Sequence, residues 1–267
     1  MLNLHDAEMT ARPGAVAGDF LTIDGERYYA IRNIDLMQPF FISVISSSDH
    51  WLFVSSTGGL TAGRIAPEFA LFPYITVDRI HESWPHTGST TLVRTTSAGE
   101  DSIWEPFNRA HYGRFEITRN LYKNLLGNKL RFEEINHTLG LAFRYTWMTS
   151  DQFGFVRSCE LQNVSGSATT VEIIDGLQNL LPAGTPRHTQ SEASNLVNAY
   201  KWNELDADSG LGLYTLYSAI SDRAEPVESL RANTAYCLGL TKPTVLLSSR
   251  QIDAFRAGRK VEQETLS

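Results

Sequence analysis

Apolar and polar residues alternate in short runs along most of this chain. Phe155, Cys159 and Leu161 share one parity while Ser158, Glu160 and Gln162 take the other, the period-two signature of a strand with one buried face. Val171 and Ile173 against Thr170 and Glu172 repeat it, and Ser165-Gly166-Ser167 between the two runs has turn composition. Residues 155–164 and 169–174 are therefore predicted to form a long hairpin. Nearer the start, residues 20–23 and 27–31 flank Asp24-Gly25, whose preference for positive φ marks a tight hairpin turn. Residues 39–46 and 51–55 read as the next pair of strands. Runs at 75–80, 90–94, 102–106, 115–122, 130–137 and 141–149 continue the series at roughly ten-residue spacing.

Beyond Pro182 the pattern changes. Residues 183–195 read as an exposed polar loop, and 196–205, 210–220 and 235–240 as further strands. Short strands without intervening helices predict an all-β fold rather than a parallel α/β one. At the end, Ile252, Phe255 and Val261 mark an amphipathic helix within residues 248–267. The predicted organisation is a polar N-terminal arm (1–18), one β domain (19–247) and a helical C-terminal segment (248–267).

Composition narrows the function classes. A hydrophobic fraction of 42% and a charged fraction of 20% describe a globular chain with ample core material. A net charge of −7 argues against nucleic acid, since a phosphate backbone selects basic surfaces. No apolar run is long enough to span a bilayer, and residues 1–19 lack the apolar stretch of a signal peptide, so no membrane partner and a cytoplasmic location are expected. Cys159 and Cys237 are read as two buried free thiols rather than as a disulfide framework or metal site.

Several chemistries are excluded by spacing. His81 and His86 are five residues apart with Pro85 between them, whereas a zinc-protease helix needs histidines at i and i+4, so no metal site is expected. No G-x-S-x-G elbow and no G-x-G-x-x-G turn appears, which leaves no nucleophilic serine motif and no dinucleotide cofactor. The loop from Thr57 to Arg64 is glycine-rich but lacks the Gly-Lys-Ser/Thr of a phosphate-binding loop.

Sugar recognition asks for aromatic faces and hydrogen-bonding edges. Trp84, the run Trp104-Glu105-Pro106-Phe107-Asn108-Arg109, and His111-Tyr112 bring those types close in sequence. Aromatic residues in strands more often fill the core, and Trp51 and Trp147 are assigned there.

A strand ending in Leu161-x-Asn163-x-Ser165, a short turn, and a strand leading into Asp175-Gly176-Leu177 resembles the N-terminal sandwich domain of bacterial glycoside phosphorylases, the cellobiose and chitobiose phosphorylases among them. Gly58-Gly59 to Arg64 followed by Phe72-Pro73-Tyr74 is similar to the double-glycine and basic, aromatic segments of that family. The resemblance implies a two-sheet antiparallel supersandwich of the galactose mutarotase type. It further implies a carbohydrate-associated accessory role beside a C-terminal α/α-toroid catalytic domain or partner subunit, and support for a homodimer. Gly58, Gly59, Arg64, Trp84, Trp104, Glu105 and Arg109 are the residues this reading places near sugar. The alternative of a stand-alone aldose epimerase would use Glu105 with His81 or His111 as its acid–base pair. A third reading is an interface domain without ligand.

Overall fold

The structure, a computed structural model, describes residues 14–97, 100–111, 113–220 and 231–267. The expected N-terminal arm lies outside the described residues as far as residue 13, and Tyr112 lies outside them too. Among the described residues strand accounts for 43% and helix for 13%, and four sheets, all antiparallel, are present, so the class is all-β.

The first part of the chain supplies β1 (Ala17–Ile23), β2 (Glu26–Arg32), β3 (Phe41–Val44), β4 (His50–Ser55), β5 (Leu60–Arg64), β6 (Gly88–Ser97) and β7 (Glu100–Trp104). The middle supplies β8 (Ile117–Asn124), β9 (Leu130–Asn136), β10 (Leu141–Ser150), β11 (Gly154–Asn163) and β12 (Val171–Gln178). The last part holds α1 (Arg187–Glu192), α2 (Ser194–Tyr200), β13 (Lys201–Asp206), β14 (Leu211–Leu216), β15 (Asn233–Ala235) and α3 (Ile252–Arg256). The described residues form two compact units, one drawn from 14–48, 55–57 and 91–174, the other from 49–54, 58–90 and 175–267.

The first unit is built on a six-stranded sheet in the order β1-β2-β8-β9-β10-β11. Asp24 (φ 50°) and Gly25 (φ 80°) make the left-handed turn that joins β1 to β2, as Asp-Gly predicts. Along β9 and β10 the period of two sorts the side chains cleanly. Leu130, Phe132 and Glu134 lie opposite Trp147, Tyr145 and Phe143, and all of them are buried. Phe132 and Tyr145 stack with ring centroids 4.8 Å apart. Burying each such side chain contributes about 1.5–3 kcal/mol, which makes this face the core of the unit.

The predicted long hairpin does not form. β11 pairs with β10 over its whole length, whereas β12 lies beside β6 in a sheet ordered β12-β6-β7. The Ser165-Gly166-Ser167 segment is a turn, but one folded on itself. Asn163 Oδ1 accepts hydrogen bonds from the backbone N–H and the hydroxyl of Ser165, and the Gly140 carbonyl accepts from the N–H groups of Val164 and Ser165. Those bonds close the end of β11 onto the β9–β10 turn, and the chain leaves for a different sheet. β11 is consequently an edge strand, and Cys159 on it is exposed, as is Cys237. Neither thiol is buried, contrary to the sequence reading of both.

The second unit holds the hairpin β4–β5, with His50 opposite Arg64 and Val54 opposite Leu60, and the sheet β13-β14-β15. Residues 75–80 are not a strand. Thr76, Val77 and Asp78 are exposed, Arg79 N–H donates back to the Thr76 carbonyl, and a 3-10 turn follows at Ile80–Ser83. The predicted strand 196–205 is α2 for its first half and β13 for the rest. The C-terminal helix is confined to α3, with Phe255 buried. After it the chain is extended and pairs with β13: Ser267 and Asn203 exchange both backbone hydrogen bonds, and Leu205 N–H donates to the Thr265 carbonyl. Glu264 anchors this segment by accepting from the N–H groups of Leu247 and Ser248 and from the Gln251 amide. Burial pushes the Glu264 pKa up, but those hydrogen bonds outweigh it and hold the carboxyl below its ordinary value.

Candidate functional site

β7 ends at Trp104 and the chain then runs through Glu105 to a 3-10 turn at Arg109–His111. This loop is fixed from below by Glu134 of β9, whose side chain is 1% exposed. One carboxylate oxygen accepts from the Trp104 indole N–H at 2.7 Å. The other accepts from the Phe107 backbone N–H and from Arg119 Nε, each at 2.7 Å. Arg119 in turn donates to the Asn108 carbonyl at 3.2 Å. Phe107 has a φ of 66°, a left-handed conformation unfavourable for a bulky residue. It is held there by the Glu134 bond and by edge-on packing of its ring against Phe132 and Tyr145 at centroid distances of 6.1 and 5.2 Å.

The result is a rigid polar loop. Glu105 accepts from the Asn108 side-chain amide at 3.0 Å, and its other oxygen lies 4.0 Å from His111 Nε2. Both side chains are largely buried, with 11% of Glu105 and 19% of His111 exposed, and Arg109 beside them is exposed. A carboxylate and an imidazole at this separation can each take or give a proton to a hydroxyl placed against both. His111, and not His81, is therefore the histidine that joins Glu105; His81 is exposed on the 3-10 turn of the second unit. Trp104 is 1% exposed, so it belongs to the core and its ring has no open face for a pyranose.

The remaining predicted residues lie in the second unit and have local structural partners. Gly58 takes a φ of 94°. At Gly59 a Cβ would stand 2.5 Å from the Ile80 carbonyl oxygen and 2.6 Å from Ser83 Oγ, so the glycine lets two backbone segments touch. Arg64 binds both carboxylate oxygens of Asp49 at 2.9–3.0 Å. Trp84 is half-buried after the 3-10 turn.

A second polar assembly occupies the other face of the six-stranded sheet and was not singled out from the sequence. Glu133 accepts from Tyr122 OH at 2.6 Å, Asn120 Nδ2 at 2.8 Å and Arg144 Nε at 2.5 Å. Arg144 continues to Glu160 at 3.1 Å and Gln162 at 2.7 Å, and Arg131 also reaches Glu160 at 2.9 Å. Burial pushes Glu133 up, yet the bonds from Tyr122, Asn120 and Arg144 prevail and leave it below the usual carboxylate value. Burial, reinforced by the bond to Glu133, raises the Tyr122 phenol well above its ordinary value, so it stays protonated. The signal in the sequence is the pair Glu133-Glu134 in mid-strand: adjacent residues face opposite ways, so each face needs its own cation.

Among the described residues no group of three or more His, Cys, Asp or Glu side chains is placed to hold a metal ion, and no helix is long and apolar enough to cross a membrane. No protein-family model matches the chain, and no curated protein matches it.

Proposed function

We propose that this chain is a carbohydrate-associated accessory domain in which the loop 105–111 supplies hydrogen-bonding groups to a sugar site. The observation that carries this reading is the gathering of Glu105, Asn108, Arg109 and His111 on one short loop locked by Glu134. Carboxylate, amide, guanidinium and imidazole groups together match the alternating donors and acceptors of a polyol edge, and a preset loop loses little entropy on binding. The resemblance to glycoside phosphorylases supports a supersandwich fold and a role beside an α/α-toroid catalytic domain or subunit, with support for a homodimer.

One specific observation favours a second reading, an aldose epimerase. Mutarotation needs a base at the anomeric hydroxyl and an acid at the ring oxygen, and the 4.0 Å spacing of Glu105 and His111 suits one group of each kind. Saturation-transfer NMR with glucose, galactose and N-acetylglucosamine, read together with anomer exchange, tests both. Transfer without accelerated exchange, reduced in E105Q, supports the accessory role; accelerated exchange lost in E105Q and H111A moves the assignment to the epimerase. Absence of both signals refutes a sugar site on this loop.

A further inference from the structure

The outer face of the β13-β14-β15 sheet carries a feature that the loop 105–111 does not use. Trp202 is 43% exposed and Tyr217 is 77% exposed, both unusually open for residues of this size. Their ring centroids lie 6.3 Å apart with a 45° tilt, so the two rings form an open V rather than a closed stack. The backbone fixes them. Trp202 lies opposite Thr215 in the β13–β14 register, the Thr215 hydroxyl donates to the Trp202 carbonyl at 3.1 Å, and Tyr217 N–H donates to the Tyr200 carbonyl at 2.7 Å. The residues that share this face along the strands are Glu204 and Asp206 of β13, both exposed, and Thr215 of β14, together with Leu213 and Leu211 opposite the two acids and Leu266, 52% exposed, bridged to Glu204.

We infer that Trp202 and Tyr217 form a stacking platform for a pyranoside, a carbohydrate site separate from the Glu105 loop. The C–H face of a pyranose is apolar and of the size of an aromatic ring, and its equatorial hydroxyls point outward to the edge. The V offers the first a pair of ring faces, and Glu204 and Thr215, the polar neighbours of Trp202 on this face, offer the second acceptors. A wholly apolar occupant fits less well, because covering Trp202 would desolvate the neighbouring Glu204 carboxylate without supplying a donor. A sugar supplies donors from hydroxyls that also remain open to water.

The test is saturation-transfer NMR with methyl β-D-glucopyranoside and cellobiose on the full chain, with E105Q, E105Q/W202A and E105Q/Y217A as variants and circular dichroism to confirm folding. With the loop 105–111 silenced by E105Q in every sample, transfer to pyranose C–H protons that persists in E105Q and is weakened about ten-fold or more in E105Q/W202A and E105Q/Y217A is the expected result. E105Q/W202F should fall between E105Q and E105Q/W202A, since a smaller ring keeps part of the stack. No transfer from E105Q overturns the inference, and so does transfer that E105Q/W202A leaves at the E105Q level. Concentration-dependent self-association abolished by W202A, without sugar binding, also overturns it and reassigns the surface to a second protein chain. Because E105Q leaves this platform intact, failure here and failure of the loop 105–111 are read separately.

Discussion

Replacing Glu134 by glutamine tests the central claim about the site, that a buried carboxylate holds the loop 105–111 in place. The substitution keeps shape and one carbonyl oxygen, which can still accept from Phe107 and Arg119. The amide NH2 then faces the Trp104 indole N–H, a donor against a donor, at the 2.7 Å position now occupied by an acceptor. The negative charge is also gone, while the Arg119 guanidinium remains with only 8% of its side chain exposed. Removing one member of a buried ion pair destabilises by about 3–5 kcal/mol. The unsatisfied indole donor alone accounts for about 1–3 kcal/mol and is contained in that figure rather than added to it. For a chain of this size, about 3–5 kcal/mol corresponds to a melting temperature lowered by roughly 6–20 °C. Thermal and urea denaturation of wild type, E134Q, W104F and the double variant measure the loss and the coupling. The double variant, lacking the facing donor, should be more stable than the sum of the single effects by about 1–3 kcal/mol. A loss below about 1 kcal/mol for E134Q, or strict additivity, would refute the assignment of Glu134 as the anchor.

Three further outcomes are expected. G59A forces a Cβ to within 2.6 Å of both the Ile80 carbonyl oxygen and Ser83 Oγ, and should destabilise by about 1–3 kcal/mol in urea titration; a neutral variant would contradict the close approach. Glu133 and Glu264 both have pKa values lowered from 4.5 by folding, so their stabilisation is present above that pH and is lost as pH falls through the lower folded values. Melting temperature should hold to about pH 5 and then decline, with a shallower decline in E264Q; a transition near neutral pH would not fit. Both thiols, Cys159 and Cys237, should react with Ellman's reagent in the native state without denaturant, and a thiol count that rises only on unfolding would contradict their exposure.

Local chemistry was the part of the fold that could be read from the chain. Asp24-Gly25 prescribes its own backbone angles, and the alternation of Leu130 and Phe132 with Arg131 and Glu133 supports the strand read at 130–137, although Glu134 and Ile135 break that alternation. The misread elements depend on information that is not local. A small polar turn between two alternating segments says that the chain bends at Ser165-Gly166-Ser167, but not that β11 and β12 become partners. Leu196, Val197 and Tyr200 satisfy a helical spacing as well as an apolar strand, and the surrounding packing selected the helix. The same division applies to the site. Glu105 and His111 are six positions apart and were visible as a cluster, whereas Glu134 and Arg119 reach the loop only through the register of β8 and β9.

The placement of β12 has a consequence for how the chain acquires its structure. Had β11 and β12 zipped together, their association would have been a microsecond event between sequence neighbours. Instead β12 must find β6, a strand made much earlier in the polypeptide, after the β8 to β11 meander has already had time to assemble. Such distant closure must offset a larger loop-closure entropy before it is rewarded, so it is slower than hairpin formation. Until that closure β6 offers an open backbone edge, and a β12 from a neighbouring molecule could occupy it as readily as the chain's own. One route to a misassembled, exchanged dimer during refolding at high concentration thus runs through this strand.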